Sequence, residues 1–292
     1  MASGVIFIAV TGLLWMLVGV IYSKVNEKAV NFPAFMFFYS LLFFAIIHLW
    51  QPPPVVTLEK LAPIAVCMLP SALLGQGGFM MLYLAMKKTS HAVAWTFAQS
   101  AMIIPFLGGW LLLGNQVNWI NLSGMILLLA ALLLLGKGQN KLPENNRTSY
   151  QGLILCIISL LLTGVSQFLT LLAGEFCYNE ANLLAWRLPL VAWPGIFSWG
   201  AVWLIERKNA TWKTLYWALL YAAVVSIGQI FLYMALDRMQ MLKLSNIVYP
   251  AAISICIVLF VVFCRIFRHE VFNLLSASGV ILIVLAISML FA

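Results

Sequence analysis

The side chains best suited to recognising a small molecule are a few polar groups that lie inside long apolar stretches. In the segment AWTFAQSAMIIP, Trp95, Gln99 and Met102 are spaced by four and three residues and therefore share one face of a helix. Asn246 and Tyr249 share a face of a second apolar stretch in the same way. Two such faces predict a cavity with aromatic walls and a few hydrogen-bonding groups, which is typical of a small-molecule site.

Two further residues complete the predicted binding set. Gln76 lies in a third apolar stretch, and Arg187 is the only charged residue well inside an apolar stretch. A cation at the centre of a membrane helix costs about 2.5–3.5 kcal/mol on insertion scales, so Arg187 is a candidate partner for a substrate carboxylate or phosphate. The alternative for Arg187 is structural: it snorkels to the interface or pairs with Glu175 or Glu180. For the uncharged residues the alternative is hydrogen bonding between helices.

Other kinds of chemistry lack the residues that they need. No Asp or Glu lies in the middle of an apolar stretch, which argues against a proton-coupled pump for cationic drugs. The sequence shows no cluster of buried His, Asp and Glu and no nucleophile beside a base, so we expect no catalytic residues and no enzyme activity. The five cysteines have no paired metal-ligand spacing. We therefore expect neither a metal site nor a cofactor.

The elements that carry these residues must lie in a lipid bilayer. Of the 292 residues, 64% are hydrophobic and 8% are charged, and the mean hydropathy is +1.04. A soluble domain has about 45–50% apolar and about 25% charged residues, and no soluble packing hides this much apolar surface. The net charge of +8 comes from basic residues at the ends of apolar stretches, where membrane anchoring explains them, so we expect no nucleic-acid partner.

Apolar runs bounded by charges, Pro or Gly predict an all-α membrane protein with ten transmembrane helices. The first five helices are predicted at 4–22, 33–50, 61–86, 91–113 and 117–135. The second five are predicted at 152–173, 181–205, 215–236, 242–267 and 271–291. No segment shows the alternation of a membrane β-barrel. The first stretch lacks the positive start of a cleavable signal, so we expect it to be retained.

The polar stretch at 137–151 divides the predicted helices into two groups of five. It separates a first repeat, 1–136, from a second, 152–292. A shift of 150 residues aligns LYLAMKK at 82–88 with LYMALDR at 232–238, at the same helix junction of each half. An odd number of spans per half inverts the second copy relative to the first, which is a transporter architecture with the substrate between the halves.

The distribution of Lys and Arg predicts the orientation in the membrane. Twelve of these residues fall on one predicted side and three on the other. Because basic loops stay in the cytoplasm, both termini are predicted on the non-cytoplasmic side of a bacterial inner membrane.

The five-plus-five layout, the polar midpoint and the paired segments LYLAMKKTSHAVAWTFAQSAMIIPF and LYMALDRMQMLKLSNIVYPAAISI resemble the drug/metabolite transporter superfamily, in particular its EamA-like ten-helix members. The resemblance covers nearly the whole chain. It implies a central cavity surrounded by the third, fourth, eighth and ninth spans. It also implies transport of amino acids, other metabolites, sugars or choline-like solutes.

From these observations we expect a secondary transporter that moves a small polar or amphipathic metabolite, such as an amino acid, by alternating access. Termini on the non-cytoplasmic side resemble the arrangement in the rhamnose and glucose permease branches of the superfamily. Sugar import is therefore the alternative within this class. A non-transporting membrane scaffold is the alternative outside it. The expected partners are the lipid bilayer and a small-molecule substrate, and the expected state is a monomer or homodimer.

Overall fold

The structure is a computed structural model that describes residues 2–27, 30–50, 52–88, 91–138, 150–177, 180–207, 209–267 and 274–291. Within these ranges the chain is helical and contains no strand. The helices are α1 (Ala2–Glu27), α2 (Phe32–Trp50), α3 (Leu58–Met86), α4 (His91–Ser100), α5 (Ile103–Leu113), α6 (Trp119–Gly138), α7 (Tyr150–Phe176), α8 (Ala181–Leu184), α9 (Arg187–Glu206), α10 (Trp212–Gln240), α11 (Val248–Phe267) and α12 (Leu274–Leu290). Most of the predicted polar linker, residues 139–149, lies outside the described residues.

Helices occupy each of the ten predicted apolar segments. Among the described residues, six helices are long and apolar enough to cross a bilayer: Ser3–Tyr22, Phe32–Trp50, Leu58–Met86, Tyr150–Phe176, Asn182–Glu206 and Trp212–Gln240. Four more apolar helical stretches are shorter: Phe97–Leu113, Trp119–Leu134, Ser245–Phe260 and Ala277–Leu290. The chain is therefore an all-helical, multi-pass membrane protein.

Three of the predicted spans are interrupted, and each interruption lies four residues before a proline. Proline has no backbone N–H, so the carbonyl four residues earlier loses its helical partner. Pro105 frees the carbonyl of Ala101, which accepts instead from the Ile104 N–H at 3.1 Å, and the helix divides into α4 and α5. Residues 185–186 form a turn before Pro189, between α8 and α9. A 3₁₀ turn, Ser245–Ile247, precedes α11 and Pro250.

By chain contacts the structure divides into two compact units, and each unit draws helices from both halves of the sequence. Unit 1 is Met1–Leu73 with Leu169–Met241. In it α1 packs along α10, and α2 packs against α9 and α10. Aromatic rings fill its core: Phe32 meets Trp199 edge to face at 5.5 Å, and Phe35 meets Tyr221 at 5.2 Å. Such pairs favour tilted or edge-on geometries because of the ring quadrupole.

Unit 2 is Leu74–Phe168 with Leu242–Ala292. In it α6 packs along α12, and α5 packs against the 3₁₀ turn and α11. Asn118 and Asn121 cap the start of α6 reciprocally, each side chain accepting the other's backbone N–H at 2.9 and 2.8 Å. The Asn121 amide also donates to the carbonyls of Met289 and Leu290, which are otherwise unpaired at the end of α12. One asparagine thus fixes the ends of two helices.

Candidate functional site

The structure places the six predicted site residues in two different units. Unit 2 contains Gln76, Trp95, Gln99, Asn246 and Tyr249. Unit 1 contains Arg187. The two groups are therefore described separately.

In unit 2 the broken segment α4–α5 lies antiparallel to the segment that runs from the 3₁₀ turn through α11. Gly109 approaches Asn246 so closely that a Cβ built on the glycine would lie 2.6 Å from the Asn246 Cβ. At the other end, the rings of Trp95 and Phe260 stack at 6.1 Å between centroids. Gly109 lies fourteen residues after Trp95, and Asn246 lies fourteen residues before Phe260. The two segments therefore run past each other in a constant register.

This register separates the predicted residues into two levels. At a rise of about 1.5 Å per residue, the levels of Trp95 and Asn246 are about 21 Å apart along the helix pair. Gln99 belongs to the level of Trp95, and Tyr249 belongs to the level of Asn246. A single small metabolite does not reach both levels at once.

Asn246 is the least satisfied of the predicted residues. Its side chain is fully buried, and neither amide atom has a hydrogen-bond partner. The neighbouring Ser245 hydroxyl accepts a hydrogen bond from Asn115 Nδ2 at 3.0 Å, and the Gln116 N–H donates to the Lys243 carbonyl at 3.0 Å. The turn is thus fixed by its neighbours while the Asn246 amide stays free. Asn115 was not predicted as part of this group.

The other predicted residues of unit 2 differ in burial. Tyr249 and Gln76 are buried, whereas Gln99 is half-buried. Trp95 is also half-buried, but its indole N–H is sealed from solvent and has no hydrogen-bond partner. Unit 2 therefore has unpaired polar groups at both levels.

Arg187 begins α9 in unit 1 and is buried with a charged partner. Its Nη2 donates to Asp237 Oδ2 at 2.7 Å, and its Nε donates to the Leu184 carbonyl at 3.3 Å. The guanidinium lies over the Tyr233 ring at 4.4 Å, in cation–π geometry. The structural alternative named Glu175 or Glu180 as its partner, and Arg187 pairs with neither of them. The acid that pairs with Arg187 is Asp237, because α10 extends to Gln240, beyond the predicted end of that span at 236.

Sequence reasoning missed three residues of this cluster. Tyr233, Asp237 and Gln240 are spaced by four and three residues, so they share one face of α10. That spacing was readable in LYMALDRMQ once the helix is extended past residue 236. Gln240 is buried, and its Nε2 has no hydrogen-bond partner.

Cys177 lies just beyond α7, near the same cluster. Burial raises the pKa of the Cys177 thiol, Glu180 raises it further, and Arg187 lowers it. The Cys177 thiol, which lies between the spans, therefore senses the charge of the Arg187 guanidinium. Within the described residues, no three His, Cys, Asp or Glu side chains are grouped closely enough to hold a metal ion.

Comparison with known proteins finds a family match for the first half of the chain and a shared fold for nearly all of it. Residues 2–137 match the model of the EamA-like transporter family. A solved structure described as "Crystal structure of protein" has a TM-score of 0.68 over 98% of this chain and 96% of that chain, at 15% sequence identity, which shows a shared fold. No curated protein sequence matches the chain. The first half of the chain therefore matches the EamA-like transporter family, which is consistent with membership of the drug/metabolite transporter superfamily.

Proposed function

We propose that the protein is a secondary transporter that moves a small polar or amphipathic metabolite, such as an amino acid or related solute, by alternating access. In this proposal ten spans form two inverted five-helix halves, and the substrate passes between them near the midplane. The match of residues 2–137 to the EamA-like transporter family supports the transporter class, and the helix present in each of the ten apolar segments supports the layout.

The observation that carries the proposal is the free Asn246 amide in a broken helix. Irregular backbone at membrane depth is tolerated where it is buried in protein or lines a water-filled cavity. Leaving a buried polar group without a partner costs about 1–3 kcal/mol. Asn246 has two such groups, and a polar residue that is expensive inside a membrane is by default functional. We assign its amide to the recognition of a substrate's polar group.

The remaining residues take roles according to their level. Tyr249 contacts the substrate together with Asn246, and Trp95 with Gln99 lines the path at the second level. Between Trp95 and Asn246 the two levels are about 21 Å apart along the helix pair. Gln76 also lines the path of the substrate. Arg187 binds an anionic group of the substrate. Two separate groups of polar residues fit a path along which the substrate moves better than they fit one fixed pocket.

The proposed location is a bacterial inner membrane with both termini on the non-cytoplasmic side. The excess of Lys and Arg on the opposite side supports this orientation. Cysteine labelling near residue 140 and near the C-terminus tests it. Reactivity from outside at residue 140 would overturn the orientation without affecting the transporter assignment.

The proposal is tested by reconstituting the full chain in proteoliposomes and measuring uptake of amino acids, sugars, nucleosides and quaternary amines. A thermal-shift screen of the purified protein identifies ligands first, because a ligand that binds the folded state raises its melting temperature. Asn246→Ala is expected to lower transport at least about tenfold while the melting temperature is unchanged or raised, since an unsatisfied group has been removed.

The matched control is Gln116→Ala, which removes an exposed amide near the same turn. It is expected to leave both transport and melting temperature unchanged. If Asn246→Ala lowers the folded yield and leaves transport per folded molecule unchanged, Asn246 is structural. If the wild-type protein moves none of the four solute classes, the transporter proposal fails as stated.

A further inference from the structure

A second amide in unit 2 has an unused hydrogen-bond acceptor. Gln167 lies on α7, and its Oε1 is buried with no hydrogen-bond donor among the described residues. An unpaired buried atom of this kind costs about 1–3 kcal/mol. The exposed apolar side chains Leu161 and Val165 mark the lipid-facing side of the same helix. At 100° per residue Gln167 is turned about 120–160° away from them, so it faces the protein interior.

The packing of α7 against α5 locates this amide. Gly164 of α7 lies against Ile104, and Gly108 of α5 lies against the Phe168 ring, so each glycine lets the partner helix approach closely. The residue numbers of the contacts increase together on the two helices, which therefore run parallel. Phe168 and Gly108 mark the line along which the two helices face each other.

Gln167 and Asn246 lie on the same side of this helix pair. Gln167 precedes Phe168 on α7, whereas Gly109, against which Asn246 packs, follows Gly108 on α5. In parallel right-handed helices that face each other, one step back on the first and one step forward on the second turn to the same side. The two positions differ by about 3 Å along the helix axes. The Gln167 acceptor and the Asn246 amide therefore face the same space beside α5.

The free atoms of these two amides favour an uncharged ligand group. Gln167 Oε1 and Asn246 Oδ1 are acceptors, and Asn246 Nδ2 is a donor. A carboxylate or phosphate has no hydrogen to offer the two acceptors. An ammonium would lack a counter-charge, because the described part of unit 2 contains no Asp or Glu. An uncharged group with two N–H or O–H donors and one acceptor satisfies all three atoms.

We propose that Gln167 is a further substrate-contacting residue, which acts with Asn246 to select an uncharged polar group that carries two hydrogen-bond donors. This inference rests on the proposed transport function and names a residue and a chemical group for it. Gln167 Oε1 accepts one hydrogen bond from the substrate, and Asn246 Oδ1 accepts the second. Asn246 Nδ2 donates to the acceptor of the same group. Selectivity arises because a substrate that lacks one donor leaves a buried oxygen unpaired.

Thiol labelling tests whether Gln167 faces an aqueous path. Gln167→Cys and Val165→Cys are compared in a cysteine-free full chain in liposomes, with a charged methanethiosulfonate as the probe. Val165 is the matched control because it lies two residues away on the lipid-facing side of α7. Gln167→Cys is expected to react at least about tenfold faster, because the reaction needs a thiolate, which forms in water. Equal rates at the two positions would overturn the proposal.

Substitution separates recognition from packing. Gln167→Met keeps the length of the side chain and removes its acceptor. We expect it to lower transport of a solute found in the uptake screen at least about tenfold, with the melting temperature unchanged or raised. Gln151→Met is the control, because Gln151 lies at the exposed start of the same helix and accepts from Lys88 there. If the loss of folded protein accounts for the whole loss of transport in Gln167→Met, Gln167 is structural and the inference is wrong.

The deciding measurement uses analogues of the transported solute, each with one N–H or O–H donor methylated. The wild-type protein is expected to transport the analogues at least about tenfold less well than the parent solute. Gln167→Met is expected to lose this preference for one of the donors, because the oxygen that recognises it is gone. If Gln167→Met discriminates as strongly as the wild-type protein against every analogue, Gln167 does not contact the substrate.

The outcomes separate the role of Gln167 from the function on which it rests. If the wild-type protein transports a solute and Gln167→Met leaves that transport unchanged, the role of Gln167 is wrong and the transporter proposal stands. If the wild-type protein moves none of the solute classes tested, the transporter proposal has failed, and the role of Gln167 fails with it whatever the labelling shows.

Discussion

Arg187 in unit 1 and Asn246 in unit 2 are both buried polar residues beside a proline-induced break. Arg187 has several polar partners, whereas the Asn246 side chain has none. Arg187 has a carboxylate at 2.7 Å, a backbone carbonyl and an aromatic ring as neighbours. Asn246 has no hydrogen-bond partner at either end of its amide. A charge without a partner is far more costly in a low-dielectric interior than an unpaired amide.

The difference shows what each kind of residue can do in a membrane. A buried cation must carry its counter-charge with it, so the Arg187 cluster is electrically neutral before any ligand arrives. Leaving a buried amide without hydrogen bonds lowers the folding stability by only a few kcal/mol. The Asn246 amide can therefore remain unpaired in the folded protein, with its donor and acceptor both available for a ligand. In the proposed function, recognition of charge is therefore assigned to Arg187 and hydrogen bonding to Asn246.

The largest expected effect comes from breaking the Arg187–Asp237 pair. Asp237→Leu leaves the buried Arg187 guanidinium without a counter-charge, and we expect a loss of about 3–5 kcal/mol in the free energy of unfolding. The double variant Arg187→Met with Asp237→Leu should recover most of that loss. Thermal unfolding in detergent measures both. A double variant as unstable as the single one would mean that the pair does not act as a unit.

A smaller effect is expected at the close approach in unit 2. Gly109→Ala places a Cβ 2.6 Å from the Asn246 Cβ and 2.8 Å from Asn115 Nδ2, and we expect a loss of about 1–3 kcal/mol from overpacking. Gly77→Ala is the matched control, since its Cβ meets only a Leu162 methyl at 3.4 Å. It should be neutral or slightly stabilising because Ala favours helix. Equal melting temperatures for the two variants would contradict the close packing of Asn246.

At Gly174, which lies beside the Arg187 cluster in unit 1, the expected effect is smaller again. Gly174→Ala brings a Cβ to 3.0 Å from Gln240 Oε1, which is the end of a flexible side chain and can shift by a few tenths of an ångström. The gain in helix propensity, about 1 kcal/mol, offsets this displacement. We expect a change in unfolding free energy below about 1 kcal/mol. A loss as large as that of Gly109→Ala would show that the Gln240 side chain is rigidly held.

The sequence predicted the helical membrane class and the position of each apolar segment, because span length and hydropathy are local properties. It also identified Arg187 and Asn246 as residues that need an explanation. The Asp237 partner was missed because a span end is uncertain by several residues when loops carry no strong signal. The two levels of Trp95 and Asn246 depend on the register between distant segments, which no local pattern encodes. The helix breaks follow from prolines that are visible in the sequence, although Pro63, Pro70 and Pro194 lie in continuous helices.

The smallest expected effect is a change in the reactivity of Cys177, which reports the electrostatic field around Arg187. The thiolate is the reactive form, so a raised pKa slows alkylation at a given pH. Because Glu180 raises the pKa of Cys177, Glu180→Gln should lower it and speed maleimide labelling at pH 8 by a few-fold, in a variant where Cys177 is the sole cysteine. Glu175→Gln is the control, since Glu175 does not contribute to the shift. Equal labelling rates for Glu180→Gln and the parent would mean that access of the maleimide to Cys177, rather than the charge around it, limits the reaction. The labelling rate would then not report the electrostatic field of Arg187.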